Sequence, residues 1–244
     1  MRNVIVTGGT RGLGLAMAQT LAGAGYRVIA VARKPSDELT AASELARAAG
    51  KGAIEFRALD LLELAAIPPF LRSLKAEFGV PYGLVNNAGL GSSGVLGVMM
   101  DRDIERLIKL NTTSPILMTK YVVRSMMAVR AGRIINVASI VAATGFNALS
   151  VYSATKASLV GFSRSLAREV GQFDITVNAI APGFVDTEMT AVMGTEDRER
   201  IVKRSALRRL ADPIDVARGV EFLLGDGGRN ITGIVLTIDA GNTA

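Results

Sequence analysis

Asn3-Val-Ile-Val-Thr7 runs straight into Gly8-Gly-Thr-Arg-Gly12-Leu-Gly14, and the reading of this stretch decides the fold. The short apolar run reads as a buried strand, and the periodic apolar stretch 13–24 behind the glycines reads as a helix. Strand, glycine turn and helix form the setting in which a dinucleotide fingerprint has a physical meaning. The glycines permit a tight turn and close approach of the backbone to a pyrophosphate, which then rests on the unpaired N–H groups of the helix N-terminus. Gly8, Thr10, Arg11, Gly12, Leu13 and Gly14 are therefore candidate cofactor-binding residues. The spacing is TGxxxGxG, so the generic GxGxxG pattern fits only loosely.

Working outward, apolar runs recur at 3–7, 27–32, 53–59, 82–86, 133–138, 176–181 and 234–238, with helical stretches at 12–24, 37–49, 67–78, 101–129, 152–172 and 213–224. Alternation of strand and helix, with continuous rather than alternating apolar strands, predicts an α/β Rossmann fold: a doubly wound parallel sheet of about seven strands with helices on both faces. In such sheets ligands bind beyond the carboxyl ends of the strands. Gly8, Asp60, Asn86, Ser139 and Pro182 all fall at or just after predicted strand ends. Asp212-Pro213 is a capping side chain followed by proline, a good start for the last helix.

Tyr152-Ser-Ala-Thr-Lys156 supplies the chemistry, with Ser139 thirteen residues upstream. Residues four apart share one face of a helix. A free tyrosine has a pKa of about 10, and a neighbouring cation stabilises the phenolate, lowering that value toward the range of a usable general acid or base. A serine hydroxyl alongside can hold a carbonyl oxygen. Such parts suit ketone reduction or alcohol oxidation, given a hydride source.

These motifs, together with Asn86-Asn87-Ala88-Gly89, Asn111 and Pro182-Gly183 followed by Thr187, resemble the classical short-chain dehydrogenases/reductases over nearly all 244 residues. The segments Arg168-Glu-Val, Ile175-Thr-Val-Asn178, Ala181-Pro-Gly-Phe-Val-Asp-Thr-Glu-Met189 and Arg209-Leu-Ala-Asp-Pro213 are most similar to the 3-oxoacyl-[acyl-carrier-protein] reductases of that family. The resemblance implies that Tyr152 protonates the carbonyl oxygen, Ser139 hydrogen-bonds it, Lys156 lowers the tyrosine pKa and binds the nicotinamide ribose, and Asn111 holds a water linking the lysine to solvent. It also implies that Asp60 and Leu61 meet the adenine, that Asn87, Ala88 and Gly89 line the ribose, and that Pro182, Gly183, Val185 and Thr187 flank the nicotinamide. It implies assembly as a homotetramer or homodimer.

Cofactor choice can be read from the residues. A NAD-type fold usually places an acid about 20 residues after the glycine turn. Here that point reads Val31-Ala32-Arg33-Lys34, with no carboxylate before Asp37. Arg33 and the loop's Arg11 favour a 2′-phosphate, and so NADP(H).

Composition limits the rest. A chain of 244 residues that is 49% hydrophobic can bury one large core, so one NADP-binding domain over 1–244 is expected, with a substrate lid near 183–210. The chain has no cysteine and no histidine, which excludes a disulfide framework, a histidine base and most zinc sites. A first strand beginning at residue 3 leaves no room for a signal peptide, and a cytoplasmic protein is expected. The uncharged stretch 134–155 is long enough to suggest a membrane span, but its polar residues and Gly145 read better as a strand, a loop and a helix start. The net charge of +6 comes with few aromatics and no tryptophan, which argues against nucleic acid as a partner.

The substrate is the open point. Six basic residues against three acids in 196–209 suit a phosphopantetheine arm, coenzyme A or an acyl carrier protein, and equally suit a merely soluble lid. Arg130 and Arg133 are expected near the mouth of the site. Phe173 stands where carrier-protein reductases often bear a basic residue, and Ile238-Asp-Ala-Gly241 departs from their usual Asp-Gly-Gly. A 3-oxoacyl thioester reductase is the leading reading. A reductase or dehydrogenase acting on other ketones, sugars, polyols or steroid-like alcohols is the alternative, and a noncatalytic dinucleotide-binding scaffold the remote one.

Overall fold

A strand with no polar face has to be covered on both sides, and Asn3–Thr7 (β1) is buried throughout. The computed structural model describes residues 1–91, 93–186 and 194–244. These hold six further strands: β2 (Arg27–Ala32), β3 (Ala53–Ala58), β4 (Gly83–Asn86), β5 (Gly132–Val137), β6 (Ile175–Pro182) and β7 (Val235–Ile238). All seven pair in parallel in the order β3-β2-β1-β4-β5-β6-β7. The chain builds outward from β1 to β3, then returns to the other side of β1 with β4. The strand order therefore reverses between β1 and β4, where a crevice opens beyond the carboxyl ends.

The helices are α1 (Gly12–Gly23), α2 (Asp37–Ala49), α3 (Ile67–Phe78), α4 (Asp101–Ile108), α5 (Ser114–Val129), α6 (Val141–Thr144), α7 (Ser150–Val170), α8 (Thr195–Arg204) and α9 (Pro213–Leu224). Two cores result, one on each face of the sheet. Val4, Val6, Val28 and Ile135 meet Met17 and Leu21 of α1 and Val216 and Val220 of α9. Ile5, Ile29, Leu84, Ile134 and Val177 meet Leu71 of α3, Met118 and Val122 of α5 and Leu166 of α7. Successive residues of β1 thus point into opposite cores, which is why the strand reads as continuously apolar.

Asp212 caps α9 by accepting from Ile214 N at 2.9 Å, and Asp215 accepts from Asp212 N in return at 3.2 Å. The expected strands and helices lie within about two residues of their predicted bounds, with one exception. The helix expected over 101–129 is interrupted by a π turn at Lys109–Thr113. Pro115 sits one position into α5 and has no N–H for the carbonyl four residues back, that of Asn111, so the regular ladder cannot run through. The uncharged stretch 134–155 is divided between β5, α6 and α7. Among the described residues no helix is long and apolar enough to cross a membrane.

The turn after β7 forms although alanine replaces the expected glycine. Ala240 adopts φ 54°, and Asp239 holds the turn by accepting from Gly241 N at 2.9 Å and from Thr243 N at 2.9 Å. A left-handed alanine costs roughly 1–2 kcal/mol. Ala240→Gly is expected to stabilise the protein by about 1 kcal/mol and to raise its melting temperature by about 2–4 °C in a thermal scan. A fall would mean that the positive φ is not a strain on the fold.

Candidate active site

The glycine turn owes its shape to two backbone constraints. Gly8 adopts φ +67°, and a Cβ on Gly14 would lie 2.1 Å from the Gly8 carbonyl oxygen, so the first turn of α1 packs directly on the end of β1. Thr7 then ties this turn to the segment after β4. Its hydroxyl accepts from Asn87 N and Ala88 N, both at 3.0 Å, while Asn87 Nδ2 donates back to the Thr7 carbonyl at 2.9 Å. Thr10, largely buried, has its carbonyl held by Ser36 Oγ at 2.6 Å. Ser36 also caps α2 by accepting from Leu39 N at 3.1 Å. The glycine turn is thus bonded to the loop after β2 that carries Arg33 and Lys34, both exposed. Arg11 is exposed at the N-cap of α1, and Gly12 and Leu13 open the helix.

Asp60 follows β3 and uses its carboxylate to accept from Leu62 N at 2.9 Å. Leu61 is buried and lines a small internal space with Thr7, Asn86 and Ala88. Asn87, Ala88 and Gly89 follow β4 at the point where the strand order reverses. A Cβ on Gly89 would lie 3.3 Å from Asn111 Oδ1 and 3.4 Å from Lys156 Nζ, so this glycine runs between the π turn and α7. Asn111 does not present a free side chain. Its Oδ1 accepts from Leu90 N at 2.8 Å, and its Nδ2 donates to the Leu90 carbonyl at 2.8 Å and to Thr155 Oγ1 at 3.3 Å. These bonds use the side chain to fix the segment after β4, while the Asn111 carbonyl is the one that Pro115 leaves without its helical donor.

Ser139 stands just past β5, and Tyr152 and Lys156 lie one turn apart on α7. Lys156 is buried and donates to the Val137 carbonyl at 2.8 Å, with its Nζ 5.7 Å from the centre of the Tyr152 ring. Burial pushes the ammonium down to about 8, because the charged form is poorly solvated there. The same cause pushes the Tyr152 phenol up, against the opposing pull of the Ser139 hydroxyl. The net shift of the phenol is therefore upward, where the sequence pointed downward. The ammonium hydrogen bond goes to Val137, and desolvation is the larger influence on the phenol. At neutral pH Tyr152 is the protonated form, able to donate.

Pro182 ends β6, and Gly183 donates to the Ile238 carbonyl at 2.9 Å. A Cβ on Gly183 would lie 2.6 Å from Asp239 Cβ. Val185 pairs with Ala211 as an isolated bridge. Thr187 lies outside the described residues.

Arg130 and Arg133 are not near the mouth of this site. Arg133 is buried at the start of β5, whose carboxyl end leads to Ser139, and six residues of strand span about 20 Å. Its Nη1 donates to the carbonyls of Gly132 and Asp174, and Arg130 lies over the Phe173 ring at 5.6 Å. The strand read over 133–138 already put Arg133 at its amino end and Ser139 past its carboxyl end, so the expected place of the arginines ran against the rule for ligand binding in such sheets. Sequence reasoning also missed Ser36, Thr155 and the Leu90 and Val137 backbones. A threonine in the YxxxK turn was a legible signal, whereas backbone carbonyls leave none.

A family model described as short chain dehydrogenase matches residues 2–198. The 3-oxoacyl-[acyl-carrier-protein] reductase FabG of Escherichia coli is 39% identical over 237 residues, covering 97% of this chain and 95% of that protein. The FabG of Pseudomonas aeruginosa is 37% identical over 237 residues, with the same coverage. Among solved structures, a short-chain dehydrogenase/reductase from Serratia marcescens superposes with a TM-score of 0.91 at 31% identity, over 100% of this chain and 98% of that one. A blue fluorescent protein from a metagenomic library, in complex with NADPH, gives the same TM-score, identity and coverage.

The buried lysine has a measurable cost. Its folded pKa of about 8 lies below the ordinary 10.5. Between these values the unfolded chain binds more protons than the folded one, so this group makes stability rise with pH from about 8 to 10.5. Below pH 8 the burial cost, on the order of 3 kcal/mol, is present in full. Lys156→Met is expected to equal or exceed the parent in urea denaturation at pH 7 and to lose that advantage by pH 10. An advantage independent of pH would contradict the depressed pKa.

Proposed function

We propose that this chain, which belongs to the short-chain dehydrogenase family, reduces a ketone to a secondary alcohol with NADPH, and that the ketone is a 3-oxoacyl thioester carried by acyl carrier protein or coenzyme A. The observation that carries the reading is the cluster at the end of β5. A half-buried, protonated Tyr152 lies close enough to Ser139 for that hydroxyl to oppose the rise of its phenol, with a buried Lys156 one turn away.

The chain's residues suit NADP(H). The turn at Gly8 and the bare first turn of α1 leave backbone N–H groups for a pyrophosphate. Arg33 and Lys34 stand exposed where an acid would serve NAD. A related structure at 31% identity binds NADPH. Gly8, Thr10, Arg11, Gly12, Leu13 and Gly14 would hold the phosphates, Arg33 the 2′-phosphate, and Asp60 and Leu61 the adenine. Asn87, Ala88, Gly89, Tyr152 and Lys156 would hold the ribose, with Pro182, Gly183, Val185 and Thr187 around the nicotinamide. Bound NADPH supplies the hydride for the carbonyl carbon.

The chain's own contribution is to the oxygen. Ser139 Oγ–H donates to it and steadies charge as it develops. Tyr152 transfers its phenolic proton to it, so that the alkoxide leaves as an alcohol. The Lys156 ammonium stabilises the phenolate that remains. Asn111, through its bonds to Leu90 and Thr155, keeps Gly89 and α7 at fixed separation.

The thioester reading rests on the FabG relatives, which the chain matches along nearly their whole length. The lid at 183–210 is described for 183–186 and 194–210. There Arg198 pairs with both oxygens of Asp186, and Arg200 and Lys203 pair with Asp197 and Glu199. Three of the six basic residues of 196–209 are thus paired with acids within or beside the lid, and Asp186 is the one acid these pairs add to the segment's own charge count. A cytoplasmic homodimer or homotetramer completes the proposal.

Tyr152→Phe is expected to bind NADPH normally in a fluorescence titration while turnover of acetoacetyl-CoA falls 10²–10⁴-fold, roughly the worth of a positioned proton transfer. Near-normal turnover would remove Tyr152 from its role. Arg33→Ala is expected to raise the KM for NADPH about tenfold, the loss of one charge-assisted contact, and to leave the KM for NADH unchanged. Equal effects on both cofactors would remove Arg33 from the 2′-phosphate.

A further inference from the structure

Two aromatic rings stand where the loops of the catalytic cluster converge. Phe146 follows α6, seven residues after Ser139 and six before Tyr152, and Phe184 follows the Pro182-Gly183 end of β6. The rings meet edge to face, with centroids 5.7 Å apart and planes at 61°. Neither ring belongs to either core, and Phe146 is 49% exposed. One exposed phenylalanine means little by itself. Its place between Ser139 and Tyr152, paired with a ring from the neighbouring loop, gives it significance.

The backbone around both rings is braced. Ala138 N and Ile140 N, on either side of Ser139, donate to the carbonyls of Ile180 at 2.7 Å and Pro182 at 3.0 Å, joining the serine loop to the strand end that leads into Phe184. The Phe184 carbonyl accepts from Ala211 N at 3.3 Å, and the Ala148 carbonyl from Gly94 N at 2.8 Å. Gly145 and Ala148 bracket Phe146 with φ of 69° and 61°.

We propose that Phe146, held edge-on by Phe184, is a specificity-determining residue: an apolar wall that receives the alkyl chain beyond the reacting carbonyl, so that the enzyme favours medium-length acyl chains over acetoacetyl. The proposal rests on the ketone-reductase reading of Ser139 and Tyr152 and deepens it by naming the substrate class. Each methylene laid on the ring leaves water. One or two of them already give about tenfold discrimination in kcat/KM.

The test uses the whole protein with NADPH and the N-acetylcysteamine thioesters of four-carbon and ten-carbon 3-oxo acids. The parent enzyme is expected to prefer the longer chain by at least tenfold in kcat/KM. Phe146→Ala is expected to lower that preference about tenfold while leaving the four-carbon substrate within about twofold. Phe146→Leu, which keeps apolar bulk, is expected to retain most of it. The same ratio is read as Kd for the two 3-hydroxyacyl products on the Tyr152→Phe protein, which needs no turnover. Cofactor titration checks that each variant is folded, and Phe184→Leu replaces any that is not. A ratio unmoved by Phe146→Ala, or a parent with no chain-length preference in either measurement, overturns the wall. Absence of turnover with both thioesters, together with a retained Kd ratio, overturns the reductase reading and leaves the wall standing.

Discussion

Helix α7 is fixed to strand β5 by two buried polar contacts, and the rest of the site takes its positions from them. Lys156 Nζ donates to the Val137 carbonyl at 2.8 Å, and two turns further on Ser163 Oγ accepts from Asn136 Nδ2 at 2.8 Å. Both contacts lie out of water, where an unmade hydrogen bond is expensive, so the helix cannot slide or roll without leaving a donor orphaned. The chain of bonds continues inward. Asn86 Nδ2 reaches Asn136 Oδ1 at 2.8 Å and Thr119 Oγ1 at 2.9 Å, joining α5, β4, β5 and α7 in one polar line. Apolar packing alone would hold these elements together; the polar line sets their register.

The electrostatics follow from that placement. The helix face that anchors Lys156 also removes it from solvent, and the same burial raises the Tyr152 phenol while lowering the lysine ammonium. The two shifts drive the groups' proton affinities apart, the phenol upward from 10.0 and the ammonium downward from 10.5, so the phenol is the group that keeps its proton. Stability is given up for this. A lysine in the interior whose ammonium donates to the Val137 carbonyl has a desolvation cost that a methionine would avoid.

Much of the fold was legible because its signals are local. Asn3–Thr7 followed by glycines, the Asp212-Pro213 cap and the uncharged run ending at Thr155 each carry their meaning within a dozen residues. The helix over 101–129 was read as unbroken even though Pro115 announced the interruption. Its effect falls four residues back, on Asn111, and the reason Asn111 turns inward is Leu90, which lies far away in sequence. Ala240 shows the same limit from the other side. The residue looked unsuited to its turn, and Asp239 holds the turn regardless.

By itself the sequence determined the layered α/β fold, the glycine turn between β1 and α1, and the placing of Ser139 at a strand end with Tyr152 and Lys156 on one helix, because periodicity and spacing encode local geometry directly. Only the tertiary structure decided which partners each side chain meets and how far it is from water. Lys156 and Tyr152 are four apart, yet the sign of the phenol's shift came from burial and not from the neighbouring charge. Solvation depends on everything packed around a group, and that packing is assembled from distant segments.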